Sequence, residues 1–375
     1  MSHLTKVQSA VLSLLSYIVG TPQDSEEQLK SLSSEQWMQL YDCVASHGLS
    51  GLCFDVLEGQ GWLDVMPRRL KIDWHGQLAM AKEPTMRRKR AIGEELAEAL
   101  AQKGIPMVIL KGLSFATFYD NPLRREFGDI DCYLMGRKQE GEELMKSMGA
   151  VLEEAGYKHS HLYYKGLMIE NHKYLTSFNN TSRGRHTEQY LQSLINQGPN
   201  LPIGDSKMLK PSDEFCALFM LKHSLMHFQE RGVGLRELLD WAHFIKKVKD
   251  IDWRSLVQCI EELGLLSYAC VLTSLCRDHL LMDNLPSELL SQVESQRAKM
   301  GKARFAKFCD AVLQDLFMGK RGVPDNEGFF SKWSRKFLKM CRMYRFRYVY
   351  DNGFFTLLFA HIKYGYLGYE SVELK

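Results

Sequence analysis

Asp129 and Asp131 stand two residues apart in the run Phe127-Gly128-Asp129-Ile130-Asp131-Cys132-Tyr133. In an extended strand alternate residues project from one face, so the two carboxylates would lie side by side. Carboxylates that close repel one another unless a cation neutralises them. Hard divalent ions such as Mg²⁺ prefer one or two carboxylates together with phosphate oxygens. Upstream, the apolar run 105–110 reads as a buried strand that stops at Lys111-Gly112, where a short helix begins. A lysine charge, a glycine that permits close approach and the amides of a helix start together make a phosphate cradle. These parts fit metal-dependent phosphoryl or nucleotidyl transfer. Taken alone, the Asp-x-Asp pair has a plainer reading, as a turn or a solvated pair at a strand edge.

Leu110-Lys111-Gly112, Tyr119, Pro122, Arg124 or Arg125, and Asp129-Ile130-Asp131 together carry a resemblance. The pattern resembles the DNA polymerase β-like nucleotidyltransferase superfamily, and within it a bacterial branch of uncharacterised nucleotidyltransferases. That branch also has a later strand ending in an acidic residue and a histidine, matched here by Met168-Ile169-Glu170-Asn171-His172. The resemblance implies that Asp129, Asp131 and Glu170 hold Mg²⁺ (or Mn²⁺) and form the catalytic carboxylates, with Glu170 also a candidate general base. It implies that Gly112 and Ser114 contact the phosphates of a nucleoside triphosphate and that Lys111 neutralises charge there. Arg124 or Arg125 would reach the leaving pyrophosphate or lock the turn before Asp129, and His172 would orient a ligand or a carboxylate. The chain departs from the superfamily at two points. Leu113 separates Gly112 from Ser114, where relatives have Ser or Gly directly after the glycine, and the third carboxylate is Glu rather than Asp.

The elements that must position these residues follow from periodicity. Strands are expected at 105–110 and 130–135, with a short helix from Leu113 closed by the turn Asp120-Asn121-Pro122. An amphipathic helix is expected over 137–156, and two further strands form a hairpin about Lys165-Gly166. Residues 1–100 read as helices, one of them capped by Ser33 or Ser34 and ended near Gly48. Another runs from Pro84 to Gly104. After a polar segment at 176–206, helices resume from Pro211-Ser212 and over 234–249, 252–264, 266–281 and 286–318. The fold class is therefore α+β and predominantly helical, a small mixed-sheet core flanked by helical regions. The corresponding divisions are 1–104, 105–206 and 207–375.

Composition narrows the class. Hydrophobic residues at 45% and charged residues at 25% exclude a disordered or fibrous chain. Forty-eight Lys+Arg against 45 Asp+Glu leave +3, which gives no general reason to expect a nucleic-acid coat protein. Nine cysteines without a C-x-x-C pair argue against both a disulfide framework and a zinc ribbon, and suit buried thiols in a reducing cytosol. Neither the N-terminus nor the apolar stretch 354–362 reads as a signal peptide or a membrane span, so a soluble, cytoplasmic protein is expected.

Local charge is less even. The run Arg87-Arg88-Lys89-Arg90 is either a phosphate-facing patch or a solvated helix face. The basic, aromatic stretch 332–347 is either a binding surface or a helix whose charged stems cover its apolar face. His223 and His227 share a helix face but lack the glutamate of a zinc-protease motif. Asp240 follows Arg236 by four residues, spacing that suits a helical ion pair. The reaction so implied moves a nucleoside monophosphate from a triphosphate to an acceptor, which could be a small molecule, a protein or RNA. Two alternatives stand beside it: a non-catalytic nucleotide-binding or interaction module, and an RNA 3′-end nucleotidyltransferase that uses the basic stretch.

Overall fold

The structure, a computed structural model, describes residues 4–22, 25–176, 182–230, 232–319 and 340–351. The apolar stretch 354–362 and the basic residues Lys332, Arg335, Lys336 and Lys339, with Trp333 and Phe337, lie outside the described residues. The fold is α+β and mainly helical, with one seven-stranded mixed sheet. The chain divides into two compact units, one drawn from 1–80 and 221–355, the other from 81–220 with 356–375.

The second unit carries the sheet. Its strands are β1 (Met107–Ile109), β2 (Ile130–Tyr133), β3 (Val151–Ala155), β4 (His159–Tyr164), β5 (Leu167–His172), β6 (Leu201–Pro202) and β7 (Met208–Lys210). Their order is β3-β4-β5-β2-β1-β7-β6. The β2–β5 and β1–β7 pairs are parallel and the others antiparallel. The β4–β5 hairpin turns at Lys165 and Gly166, both with positive φ, as the expected two-residue turn requires.

One face of this sheet is sealed by the helix Glu83–Gln102. Its Met86, Ile92, Leu96, Ala97 and Leu100 recur at helical spacing and pack with Ile130, Cys132, Leu162, Ile169 and Met208 from the strands. Each such buried aliphatic contributes about 1.5–3 kcal/mol relative to exposure. Gly93 permits the close approach: a Cβ there would sit 2.9 Å from Ile130 Cδ1. Because strand side chains alternate, Ile130, Cys132 and Ile169 facing the helix forces Asp131 and Glu170 onto the opposite face.

Three expected boundaries need correction. The helix placed at 137–156 ends at Ser147, and Val151–Ala155 is instead the edge strand β3. Gly149, at φ 99°, stops the helix, and the two β-branched and aliphatic residues after it find a partner in β4. The polar segment 176–206 contains the helix Ser182–Gln197, whose Glu188 accepts hydrogen bonds from the Leu175 and Thr176 amides. Within 286–318, Gly301 at φ 87° separates two helices, Ser287–Met300 and Lys302–Met318.

The other unit is helical among its described residues. Ser33 caps the helix Ser34–Ser46 in a reciprocal capping box with Gln36, and Gly48 follows its end in a left-handed turn, as its sequence predicts. Trp37, Trp74, Trp241 and Tyr268 are fully buried in this unit. No helix of the described residues is long and apolar enough to cross a membrane.

Candidate functional site

β2 and β5 run parallel with Asp131 directly opposite Glu170. β4 pairs with β5 so that His161 is opposite Glu170, and β3 places Glu154 opposite His161. Glu154, His161, Glu170 and Asp131 therefore form one row across four strands, with His159 and His172 paired in the next row of the same face.

Lys111, just past β1, brings its ammonium to this row. Its Nζ is 3.0 Å from Asp131 Oδ2 and 3.7 Å from Asp129 Oδ1. Asp131 is buried, whereas Asp129 and Lys111 keep about a quarter and a fifth of their side chains exposed. Lys111 is the cation that Asp131 Oδ2 meets in this cluster. Burial would lower the Lys111 pKa, but Asp131, Asp129 and Glu170 outweigh it and hold the amine firmly protonated.

His172 is buried beneath the carboxylates. Its Nδ1 lies 3.0 Å from the Tyr174 carbonyl oxygen and its Nε2 lies 3.2 Å from Asp131 Oδ1 and 3.5 Å from Glu170 Oε2. Both ring nitrogens face acceptors, so the ring satisfies them only by donating from both. Burial alone would lower its pKa, yet hydrogen bonds to Asp131 and Glu170 prevail and raise it. Burial likewise pushes Glu170 upward, but His172, Asp131 and the Lys111 charge hold it well below the usual carboxylate range. A second lysine, Lys158, belongs to the cluster: burial depresses its pKa, opposed by Asp131 and Glu170. Three carboxylates thus meet three basic groups, Lys111, Lys158 and His172.

Of the residues expected at the site, Lys111, Asp129, Asp131, Glu170 and His172 come together. Ser114 does not: it is fully buried, with its hydroxyl 3.8 Å from Cys216 Sγ. The intervening Leu113 rotates the hydroxyl inward. Gly112 adopts φ 63°, ψ −105°, a conformation that suits glycine, and its carbonyl accepts from Arg125 Nη1 at 3.2 Å. Arg125 is buried with its guanidinium over the Phe115 ring, and so locks this turn from below. Arg124 pairs with Glu83.

The basic run at 87–90 proves largely structural. Lys89 donates to the Phe127 and Gly128 carbonyls at 2.7 and 3.0 Å and fixes the turn before Asp129. Arg88 donates to the Lys165 carbonyl, and Arg90 pairs with Glu94 at 2.8 Å. In the helical unit, Arg342 is spent in a buried pair with Asp315 and stacks over Phe228 and Phe346. Arg347 lies over Tyr344 and Tyr348, so the basic–aromatic interleaving there is cation–π packing. Asp240 is buried, and Arg236 lies 4.0 Å from Glu237. His223 and His227 meet edge to face at 4.4 Å, and neither joins a metal-compatible group among the described residues.

His159, His161 and Lys158 escaped the sequence reading. The signal was present: His159-Ser160-His161 on one arm of an expected hairpin puts both imidazoles on one face.

A small mixed sheet thus gathers three carboxylates, two lysines and a buried histidine around the Lys-Gly turn. The family model for uncharacterised nucleotidyltransferases matches residues 33–280, two thirds of the chain, and the chain belongs to that family. No curated protein matches it, and no solved structure does.

The donor set suits a hard divalent ion. Asp131 and Glu170 offer carboxylate oxygens within 4.8 Å of one another, an all-oxygen pair, while His172, donating from both ring nitrogens, supports the carboxylates from beneath.

Proposed function

We propose that the chain is a metal-dependent nucleotidyltransferase that transfers a nucleoside monophosphate from a triphosphate to an acceptor and releases pyrophosphate. The observation that carries this reading is the register of β2 against β5, which sets Asp131 beside Glu170, with Asp129 and Lys111 at the more exposed edge. Asp129, Asp131 and Glu170 would hold Mg²⁺ or Mn²⁺. A divalent ion bound there supplies Lewis-acid polarisation of phosphate oxygens and lowers the pKa of a coordinated hydroxyl.

The chain's own residues do the rest. His172, donating to Asp131 and Glu170, fixes both carboxylates in orientation. The low pKa of Glu170 makes it a ligand rather than a proton acceptor. Lys111 holds the carboxylates when no divalent ion is bound, and its flexible stem lets the ammonium turn to the triphosphate. Arg125 and Lys89 hold the turns at Gly112 and Gly128 from behind. In the reaction an acceptor hydroxyl gives up its proton to solvent as its oxygen bonds to the α-phosphorus, and the bond to the bridging oxygen breaks with pyrophosphate leaving.

Incubation of the protein with triphosphate labelled at the α- or γ-phosphorus, Mg²⁺ or Mn²⁺ and a cell extract tests this. The α label should pass to an acceptor and the γ label should appear in pyrophosphate, and both should vanish in Asp129→Asn/Asp131→Asn. Equal labelling by that double variant sinks the mechanism.

A further inference from the structure

We propose that His159, His161 and Glu170 form a binding site for a transition-metal ion of the Zn²⁺ class, distinct in chemistry from the carboxylate site beside it. The two histidines stand at alternate positions of β4 and share a face, and β5 brings Glu170 opposite His161. His161 Nε2 lies 3.7 Å from Glu170 Oε1, and His159 Nδ1 lies 3.9 Å from Glu170 Oε2. The three ligand atoms all fall within 4.8 Å of one another. A tetrahedral ion with ligands at about 2.1 Å separates them by about 3.4 Å, so the histidine–glutamate contacts close by about 0.3–0.5 Å and the widest spacing by up to about 1.4 Å when the site is filled.

Two further features point to a cation. His159 Nδ1 is buried and has no hydrogen-bond partner among the described residues. His161 Nδ1 faces Glu154 Oε2 at 3.3 Å, and a proton held there leaves the Nε2 lone pair aimed at Glu170. Acceptor then faces acceptor, an arrangement a metal ion resolves. The carboxylate–histidine pairing is also the one that orients and strengthens imidazole ligands in metal sites. The His159 and His161 rings stack at 4.8 Å, which holds both in place. Two imidazoles and one carboxylate favour Zn²⁺, Co²⁺ or Ni²⁺ over Mg²⁺, which prefers oxygen alone. The three protein ligands leave a fourth position open to water or a substrate oxygen. Glu170 is common to this site and to the proposed transfer site, and the inference rests on that reading nowhere else.

Metal titration of the full chain, without triphosphate, tests it. After chelator treatment, Co²⁺ should bind at one per chain with visible d–d absorption, and Zn²⁺ should displace it. His159→Ala and His161→Ala should each weaken Co²⁺ at least tenfold, and Glu154→Gln by roughly tenfold. Asp131→Asn should retain the absorption. His161→Gln, closer in size, accompanies the alanine variants, and circular dichroism establishes that each is folded. Unchanged Co²⁺ affinity in the folded histidine variants overturns the site. So does binding that is lost in Asp131→Asn but kept in His161→Gln. Absent monophosphate transfer with intact Co²⁺ binding refutes only the transfer reading; intact transfer without Co²⁺ binding refutes only this site.

Discussion

Replacing Lys111 by methionine separates the two jobs assigned to the Asp129–Asp131 pair, holding itself together and holding a divalent ion. The ammonium sits 3.0 Å from Asp131 and 3.7 Å from Asp129. At an effective dielectric of about 20, those separations correspond to roughly 5.5 and 4.5 kcal/mol of gross attraction. Desolvation cancels much of this, and breaking such a buried pair costs about 3–5 kcal/mol because a charge is left unpaired. The lysine keeps a fifth of its side chain exposed, so the lower end, about 3 kcal/mol, applies. In a unit of this size that loss lowers the melting temperature by roughly 6–12 °C. Mg²⁺ at a hundred times its dissociation constant returns about 2.7 kcal/mol, close to the whole deficit. Melting followed by circular dichroism should therefore show Lys111→Met much less stable than the parent without Mg²⁺, and the variant in Mg²⁺ close to the Mg²⁺-free parent. Melting unchanged by the substitution, or a loss that Mg²⁺ leaves untouched, refutes the assignment of these carboxylates as a cation site.

Two further outcomes follow from the same unit. Gly112→Ala forces a side chain into φ 63° with its Cβ 3.5 Å from Phe127; urea unfolding should report a loss of about 1–2 kcal/mol, and a neutral result removes the strain argument. His159 ionises at about 4 when folded against 6.5 in the free side chain, so the unfolded state takes up the proton first as pH falls. Its contribution is complete above pH 6.5 and is lost progressively down to pH 4. His159→Asn should flatten that part of the stability–pH profile, and an unaltered profile contradicts the burial of the ring.

Local chemistry made much of this legible. The Lys-Gly break, the Asp-x-Asp alternation and the Lys165-Gly166 turn obey rules that operate over a few residues. The capped helix at Ser34 does too, and the structure keeps each of them. Strand β3 was missed because Val-Leu-Glu-Glu-Ala continues an amphipathic helical pattern, and only Gly149 and the partner strand β4 overrule it. The helix Ser182–Gln197 was missed because a polar sequence shows its packing face only once something covers it.

The sequence by itself determined which groups the protein owns: the carboxylates at 129, 131 and 170, a lysine at a glycine turn, and a histidine two residues after the third carboxylate. Tertiary structure decided which of them meet. A one-residue slip of β5 against β2 would send Glu170 to the helix-covered face, and that register is set by Ile130, Cys132 and Ile169 seeking the core. The same register lined up Glu154, His161, Glu170 and Asp131. Packing also turned the Ser114 hydroxyl toward Cys216 and set Arg125 against the Gly112 carbonyl. Pairing between strands some forty residues apart depends on what each face must hide, and no local pattern carries that information.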